Sequence, residues 1–206
     1  MSKPEIFSYY TISNASEGVF KDRGSKFFAF AFPVVNEEQI KKHLISLRKK
    51  HPSARHHCYA WCLGSDSGLT RTHDDGEPSN SAGKPILTQI TSHHLTNVLV
   101  VVIRYFGGTL LGVSGLINAY KNATADVIRN SKIEECFIYY LYKIEFGFED
   151  LSSVMKLLKE KEAKIISNQY HATNVIVCQV RKRDSEKFAS QLGEIYRAKF
   201  EYLNSI

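Results

Sequence analysis

Apolar side chains recur every second residue in some stretches of the chain and about every 3.6 residues in others, and these two periods set out its elements. Ile6 to Ile12 is aromatic and β-branched, and Gly18 to Phe32 predicts a hairpin about Asp22-Arg23-Gly24 whose second arm, Phe27 to Phe32, is ended by Pro33. Asn36 is placed to cap a helix with Glu37 and Glu38 in its first turn, Ile40, Leu44 and Leu47 along one face, Arg48-Lys49-Lys50 in its last turn and Pro52 beyond. From Arg55 to Leu63 a larger set (His57, Tyr59, Trp61, Leu63) alternates with a smaller one (His56, Cys58, Ala60, Cys62), which reads as a strand. Thr72 to Pro78 is polar and interrupted, so a loop is expected there. Ser79 or Asn80 is the expected cap of a short helix through Ile90, with Pro85 in its first turns. Val98 to Tyr105 has the β-branched composition of a strand buried on both faces. After it, Val113, Leu116, Ile117, Tyr120, Val127 and Ile128 form a helical stripe.

The pattern restarts beyond Lys132. Strands over Ile138 to Phe148, Ala163 to Tyr170, Thr173 to Val180 and about Lys199 to Leu203 are interleaved with helices Leu151 to Lys161, capped by Asp150, and Ser185 to Tyr196. This is a βαββαβ order, the ferredoxin-like split unit. The expected organisation is therefore α+β in two domains, residues 1–135 and 136–206.

Composition narrows the class. With 43% hydrophobic residues over 206 positions the chain can build real cores, which excludes disorder. The longest apolar run, Val98 to Ile103, falls far short of the roughly 20 residues that cross a bilayer, and the opening Met-Ser-Lys-Pro-Glu-Ile-Phe lacks the apolar stretch of a secretory leader. A cytoplasmic protein is expected, with Cys58, Cys62, Cys136 and Cys178 as reduced thiols. The net charge of +6 is spread over both parts and permits an RNA or DNA partner without demanding one.

Four groups of residues carry candidate chemistry. The turn Arg104-Tyr105-Phe106-Gly107-Gly108-Thr109-Leu110-Leu111-Gly112-Val113-Ser114-Gly115 opens a helix and is a candidate anion site, or simply a tight strand-to-helix turn. Asp74, Asp75 and Glu77 cluster on one loop, either for a hard cation, for basic groups of a partner, or as a solvated acidic turn. Six of the eight histidines fall between residues 51 and 94, yet on a strand Cys58 and Cys62 stand about 13 Å apart at roughly 3.3 Å per residue, too far to share a zinc ion. His57 and Cys58 point to opposite faces and make no catalytic pair, so His57 is expected to be partly buried and hydrogen-bonded. Arg23, Lys26, Lys84 and Arg104, interleaved with Phe27, Tyr105 and Phe106, have the character of a surface for single-stranded nucleic acid, unless the rings belong to the core.

Taken in order, Arg55-His56-His57-Cys58-Tyr59-Ala60-Trp61, Asp74-Asp75-Gly76-Glu77-Pro78, Ala82-Gly83-Lys84-Pro85-Ile86-Leu87 and Arg104-Tyr105-Phe106-Gly107-Gly108 closely resemble the YigZ/IMPACT family in its bacterial two-domain YigZ branch. The resemblance implies a two-layer α/β amino-terminal domain similar to the second domain of ribosomal protein S-five. It also implies a ferredoxin-like carboxy-terminal domain similar to the last domain of elongation factor G. The eukaryotic relatives regulate translation by binding a partner of an initiation-factor kinase. The matched polar and glycine positions are His57, Asp74, Asp75, Glu77, Lys84, Arg104, Gly107, Gly108 and Gly112. Three departures stand out: Asn80-Ser81 where Gly-Thr is usual, Ser114-Gly115 in place of a glycine pair, and Asn118 in place of a basic residue.

The expected function is that of a non-enzymatic cytoplasmic protein that binds RNA or a ribosome-associated protein and regulates translation. The anion or nucleic-acid contacts would come from Lys84, Arg104, Gly107, Gly108, Gly112, Arg23 and Lys26. No cofactor, metal or membrane partner is expected. The alternatives are a hydrolase-like enzyme using the Asp74, Asp75 and Glu77 loop and a pure protein-interaction module.

Overall fold

The computed structural model describes residues 5–171 and 173–206, so the first four residues of the stretch read above for a leader lie outside it. The chain divides into two compact units, one of Tyr9–Cys136 and one in which the described residues through Ser8 join Phe137–Ile206.

In the first unit, β2 (Ser16–Asp22), β3 (Ser25–Pro33), β4 (His56–Leu63), β5 (Leu69–His73) and β6 (Val98–Tyr105) make a sheet of order β2-β3-β6-β4-β5. The neighbours are antiparallel throughout. A two-stranded ribbon pairs β1 (Ser8–Ile12) with β7 (Ile133–Phe137). The central strand β6 has no polar side between Val98 and Ile103, all six being fully buried, and such a strand requires cover on both faces. Helices α2 (Gly83–Ser92) and α3 (Gly112–Arg129) pack on one face, against Phe27, Ala29, Cys58, Ala60, Val100 and Val102. The opposite face, with Trp61, Leu63, Leu99, Val101 and Ile103, receives Ile40 and Leu47 of α1 (Glu37–Lys50). The unit is thus three layers and not the two expected, and the reason is the doubly buried β6.

Other local readings are corrected by tertiary contacts. Thr72 and His73 belong to β5, whose residues are all exposed because it is the outer strand, so no apolar alternation marks it. Neither Ser79 nor Asn80 caps α2; the carboxylate of Asp74 accepts from Ala82 N at 3.0 Å and Gly83 N at 2.8 Å instead. Asn36 does cap α1, accepting from Gln39 N. Asp150 stands at the cap position of its helix without a side-chain bond.

The second unit runs β8 (Tyr139–Phe146), α4 (Leu151–Glu160), β9 (Lys164–Gln169), β10 (Asn174–Arg181), α5 (Ser185–Gly193) and β11 (Lys199–Ser205), the strand–helix–strand–strand–helix–strand order read from the sequence. Its antiparallel sheet has the order β11-β8-β10-β9. Tyr142, Ile144, Phe146, Ile176, Cys178 and Val180 form the covered face, against Val154, Leu157, Leu158, Phe188 and Leu192 of the helices.

One contact between turns decides where the end of β6 sits. Gly24 (φ +81°) in the β2–β3 turn and Gly107 just after β6 approach so closely that a Cβ on Gly107 would lie 1.9 Å from the Gly24 carbonyl carbon. Gly108 (φ +88°) has open space around it. Gly107→Ala should therefore lower stability by about 3 kcal/mol, the upper end of overpacking, and Gly108→Ala by only about 1–2 kcal/mol of left-handed backbone strain. Urea unfolding of the two variants checks that order.

Candidate functional site

Antiparallel register brings the start of β4, the start of β3 and the end of β6 together. His56 lies opposite Arg104, and so does Phe27. Side-chain alternation puts Arg104, His56 and Phe27 on the α2/α3 face and Tyr105, Lys26 and Phe28 on the α1 face.

On the α2/α3 face a polar chain is buried within the apolar layer. Arg104 Nη1 donates to Glu77 Oε1 at 2.9 Å and to Oε2 at 3.2 Å, both side chains being almost inaccessible to solvent. Tyr120 Oη, from α3, donates to Glu77 Oε1 at 2.8 Å. Cys58 Sγ lies 3.2 Å from Tyr120 Oη and 3.0 Å from the Asp74 carbonyl, the two acceptors open to its single proton. Burial pushes the Cys58 thiol and the Tyr120 phenol far above their ordinary ranges, with the neighbouring Glu77 carboxylate acting in the same direction. Cys58 is therefore no nucleophile.

The expected acidic turn is not solvated. Asp74 caps α2 and also accepts from Asn80 N at 2.9 Å. Asp75 accepts from His57 N at 2.7 Å and from Arg48 Nη2 of α1 at 2.9 Å. Glu77 holds Arg104. With every carboxylate taken by a donor of the fold, the loop offers no free pair for acid–base work, and among the described residues no group of three or more His, Cys, Asp or Glu is placed to hold a metal ion.

His57 is buried on the α1 face, but neither ring nitrogen has a hydrogen-bond partner among the described residues, contrary to expectation. Its Nδ1 is 3.9 Å from Asp75 Oδ2. Burial and the nearby Arg48 charge hold His57 below its ordinary value, Asp75 opposing.

The glycine-rich turn is explained by backbone geometry. The Gly107 amide donates to Ser25 Oγ at 3.1 Å, and Gly108 and Gly112 occupy positive φ. Arg23 (φ +44°) is an exposed member of the β2–β3 turn, and Lys84 is exposed in the first turn of α2. Neither lines the two clefts at the end of β6.

Two clefts do meet at the end of β6. One, of about 510 Å³, lies on the α2/α3 face between Ser53, Arg55, His56, Arg104, Tyr105, Phe106 and Leu110. The other, of about 500 Å³, lies on the α1 face between Gly24, Lys26, Phe28, His51, Tyr105 and Phe106. The shared Phe106 is 56% exposed, and its ring lies 5.5 Å from the Arg104 guanidinium, whose other neighbour is Phe27 at 5.6 Å. Of the residues singled out from sequence, the structure gathers Lys26, Arg104, Tyr105 and Phe106 here and leaves Lys84 and Arg23 aside. Arg55, His56, Phe28, His51 and Leu110 were missed as site residues. The alternation that pairs His56 with Arg104 was the available signal for the first two.

Comparison with known proteins follows the same motifs. The sequence profile of the Impact N-terminal domain matches residues 23–128. The IMPACT family member YigZ of Escherichia coli is 31% identical over 181 residues, 87% of this chain and 89% of that protein. Protein IMPACT of Oryctolagus cuniculus is 43% identical over 96 residues, 44% of this chain but 30% of its own length. Among solved structures, that of a protein described as hypothetical superposes with a TM-score of 0.72 at 28% identity, covering 97% of this chain and 99% of its own. No described helix is long and apolar enough to cross a membrane.

Two outcomes follow for stability. Arg104→Met strands the Glu77 carboxylate and should cost about 3–5 kcal/mol, while adding Glu77→Gln, which keeps an acceptor for Tyr120, should recover more than half; urea titrations of the single and double variants measure this. Acid should act in two stages. His57, depressed from 6.5 when folded, binds a proton more readily unfolded, so stability falls as pH drops below about 6.5. At Asp75 burial is outweighed by the His57 amide and Arg48, which hold it below 3.8, so a second loss begins as pH falls below about 4. Melting temperatures between pH 8 and 3 should lose the first stage in His57→Phe and part of the second in Asp75→Asn.

Proposed function

This chain belongs to the IMPACT family, in its YigZ branch, and on that premise we propose that it is a non-enzymatic cytoplasmic protein that binds single-stranded RNA and regulates translation. The observation that carries the reading is the pair of clefts on either side of Phe106. An exposed ring stands between a lysine, Lys26, on one face and an arginine, Arg55, on the other. Base stacking on aromatic rings, with cations at the spacing of the backbone, is how single strands are held without a groove to read.

The second unit offers a poorer surface. On the open face of its sheet Lys143 pairs with Glu145 at 2.5 Å, and the register sets Glu201 beside Lys143 and Lys199 beside Glu145. Charges of opposite sign neighbour one another there, so the cations are already compensated. The order β11-β8-β10-β9 is compatible with the ferredoxin-like domain of elongation factor G that the family resemblance implies. A first unit similar to the second domain of ribosomal protein S-five would likewise suit a ribosome-linked role.

Anisotropy of a labelled twelve-nucleotide single-stranded RNA tests this. Binding should weaken with salt with a log–log slope of about −2, as two or three phosphates are neutralised at about −0.7 each. Phe106→Ala should cost about 1–3 kcal/mol by loss of stacking, and Lys26→Ala should flatten the slope by less than one unit. Absence of binding at low salt would sink the proposal.

A further inference from the structure

The cleft on the α2/α3 face is more specifically built than a basic surface. Arg104 is more than nine-tenths buried, yet it lines the cleft, and its Nε has no partner among the described residues. Glu77 grips one end of the guanidinium and the rings of Phe27 and Phe106 flank it, so its orientation is fixed before any ligand arrives. Nε itself is closed to solvent, so what Arg104 gives the cleft is a wall held in one orientation, with a donor still unmet behind it.

Charge limits what the cleft can take. Glu77 cancels Arg104, leaving Arg55 as the uncompensated permanent cation of the cleft, which suits the single charge of a phosphodiester and not a triphosphate. Size and polarity limit it further. A cleft of about 510 Å³ with two apolar walls, Phe106 and Leu110, the latter 81% exposed, is too large and too apolar for a lone anion and takes a flat ring beside it.

His56 supplies the remaining feature. Its Nδ1 lies 3.0 Å from the Asp75 carbonyl oxygen, which can only accept, so Nδ1 carries the proton. In that tautomer Nε2 is a bare acceptor on a residue lining the cleft, and the ring cannot switch tautomer without losing the Asp75 bond. A phosphodiester and a base present donors of few kinds to such an atom; a ribose adds its 2′-hydroxyl.

We infer that this cleft holds one ribonucleotide of a single strand, base against Phe106 and Leu110, phosphodiester at Arg55 and Arg104, and that His56 Nε2 accepts from the 2′-hydroxyl, selecting RNA over DNA. The inference rests on the RNA-binding reading above and adds the selecting residue.

Three probes of one pyrimidine sequence, as RNA, DNA and 2′-O-methyl RNA, separate the two readings on the unaltered protein. The 2′-O-methyl strand keeps the RNA sugar pucker and replaces the donor with a methyl ether, while the DNA strand removes the donor without adding bulk. RNA should bind about tenfold tighter than either other strand, and His56→Phe should bring all three together, with a melting temperature lowered by a few degrees through loss of the Asp75 bond. Leu110→Glu, at a position too exposed to affect folding, should weaken RNA at least tenfold by setting a negative charge in the cleft. Equal affinity for RNA and 2′-O-methyl RNA on the unaltered protein would overturn the role of His56 while RNA binding stood. Unchanged binding by Leu110→Glu would overturn the location. No binding of any strand would overturn both readings.

Discussion

A buried ion pair between Arg104 and Glu77 is the constraint on which the rest of the first unit depends. Neither charge has water to turn to, so each is tolerable only while the other is in place. Tyr120 donates to Glu77, and Cys58 extends the chain into the apolar layer. Because the four groups come from β6, the loop after β5, α3 and β4, the pair ties into register elements that no local propensity would hold together.

The same loop shows why an acidic cluster need not be a reactive one. Asp74 faces the start of α2, Asp75 the backbone of β4 and the end of α1, and Glu77 the guanidinium under α3. Three carboxylates within four residues are each met by separate donors pointing three ways. Coulomb repulsion between them is offset by those donors, and the result is a staple across all three layers in place of a metal cage or a general-acid pair.

Where this staple ends, the cleft at the end of β6 begins. The Arg104 guanidinium is at once the interior partner of Glu77 and part of a cleft wall, and the carbonyl of Asp75 holds the His56 ring that lines the same cleft. The side chains that wall the cleft are thereby held by the interactions that stabilise the sheet, and their entropy is already lost on folding.

Elements with strong periodicity were legible in the chain itself. The doubly apolar Val98 to Ile103, the alternating His56 to Leu63, the Asn36 cap and the restart beyond Lys132 each depend on neighbours within a few residues, where spacing alone decides which side chains share a face. That His57 and Cys58 face apart follows from the same geometry, as does the βαββαβ order after residue 138. Family membership was legible too, since it resides in ordered motifs. The edge strand β5 was not, because a solvated outer strand carries no apolar pattern; nor was the Asp74 cap, because its carboxylate lies outside the helix it serves. What only the tertiary structure decided is the fate of each charge. Sequence separates Arg104 from Glu77 by 27 residues and His56 from Asp75 by 19, and whether a charged group faces water, a ligand or an opposite charge is settled by long-range pairing, to which local spacing is blind.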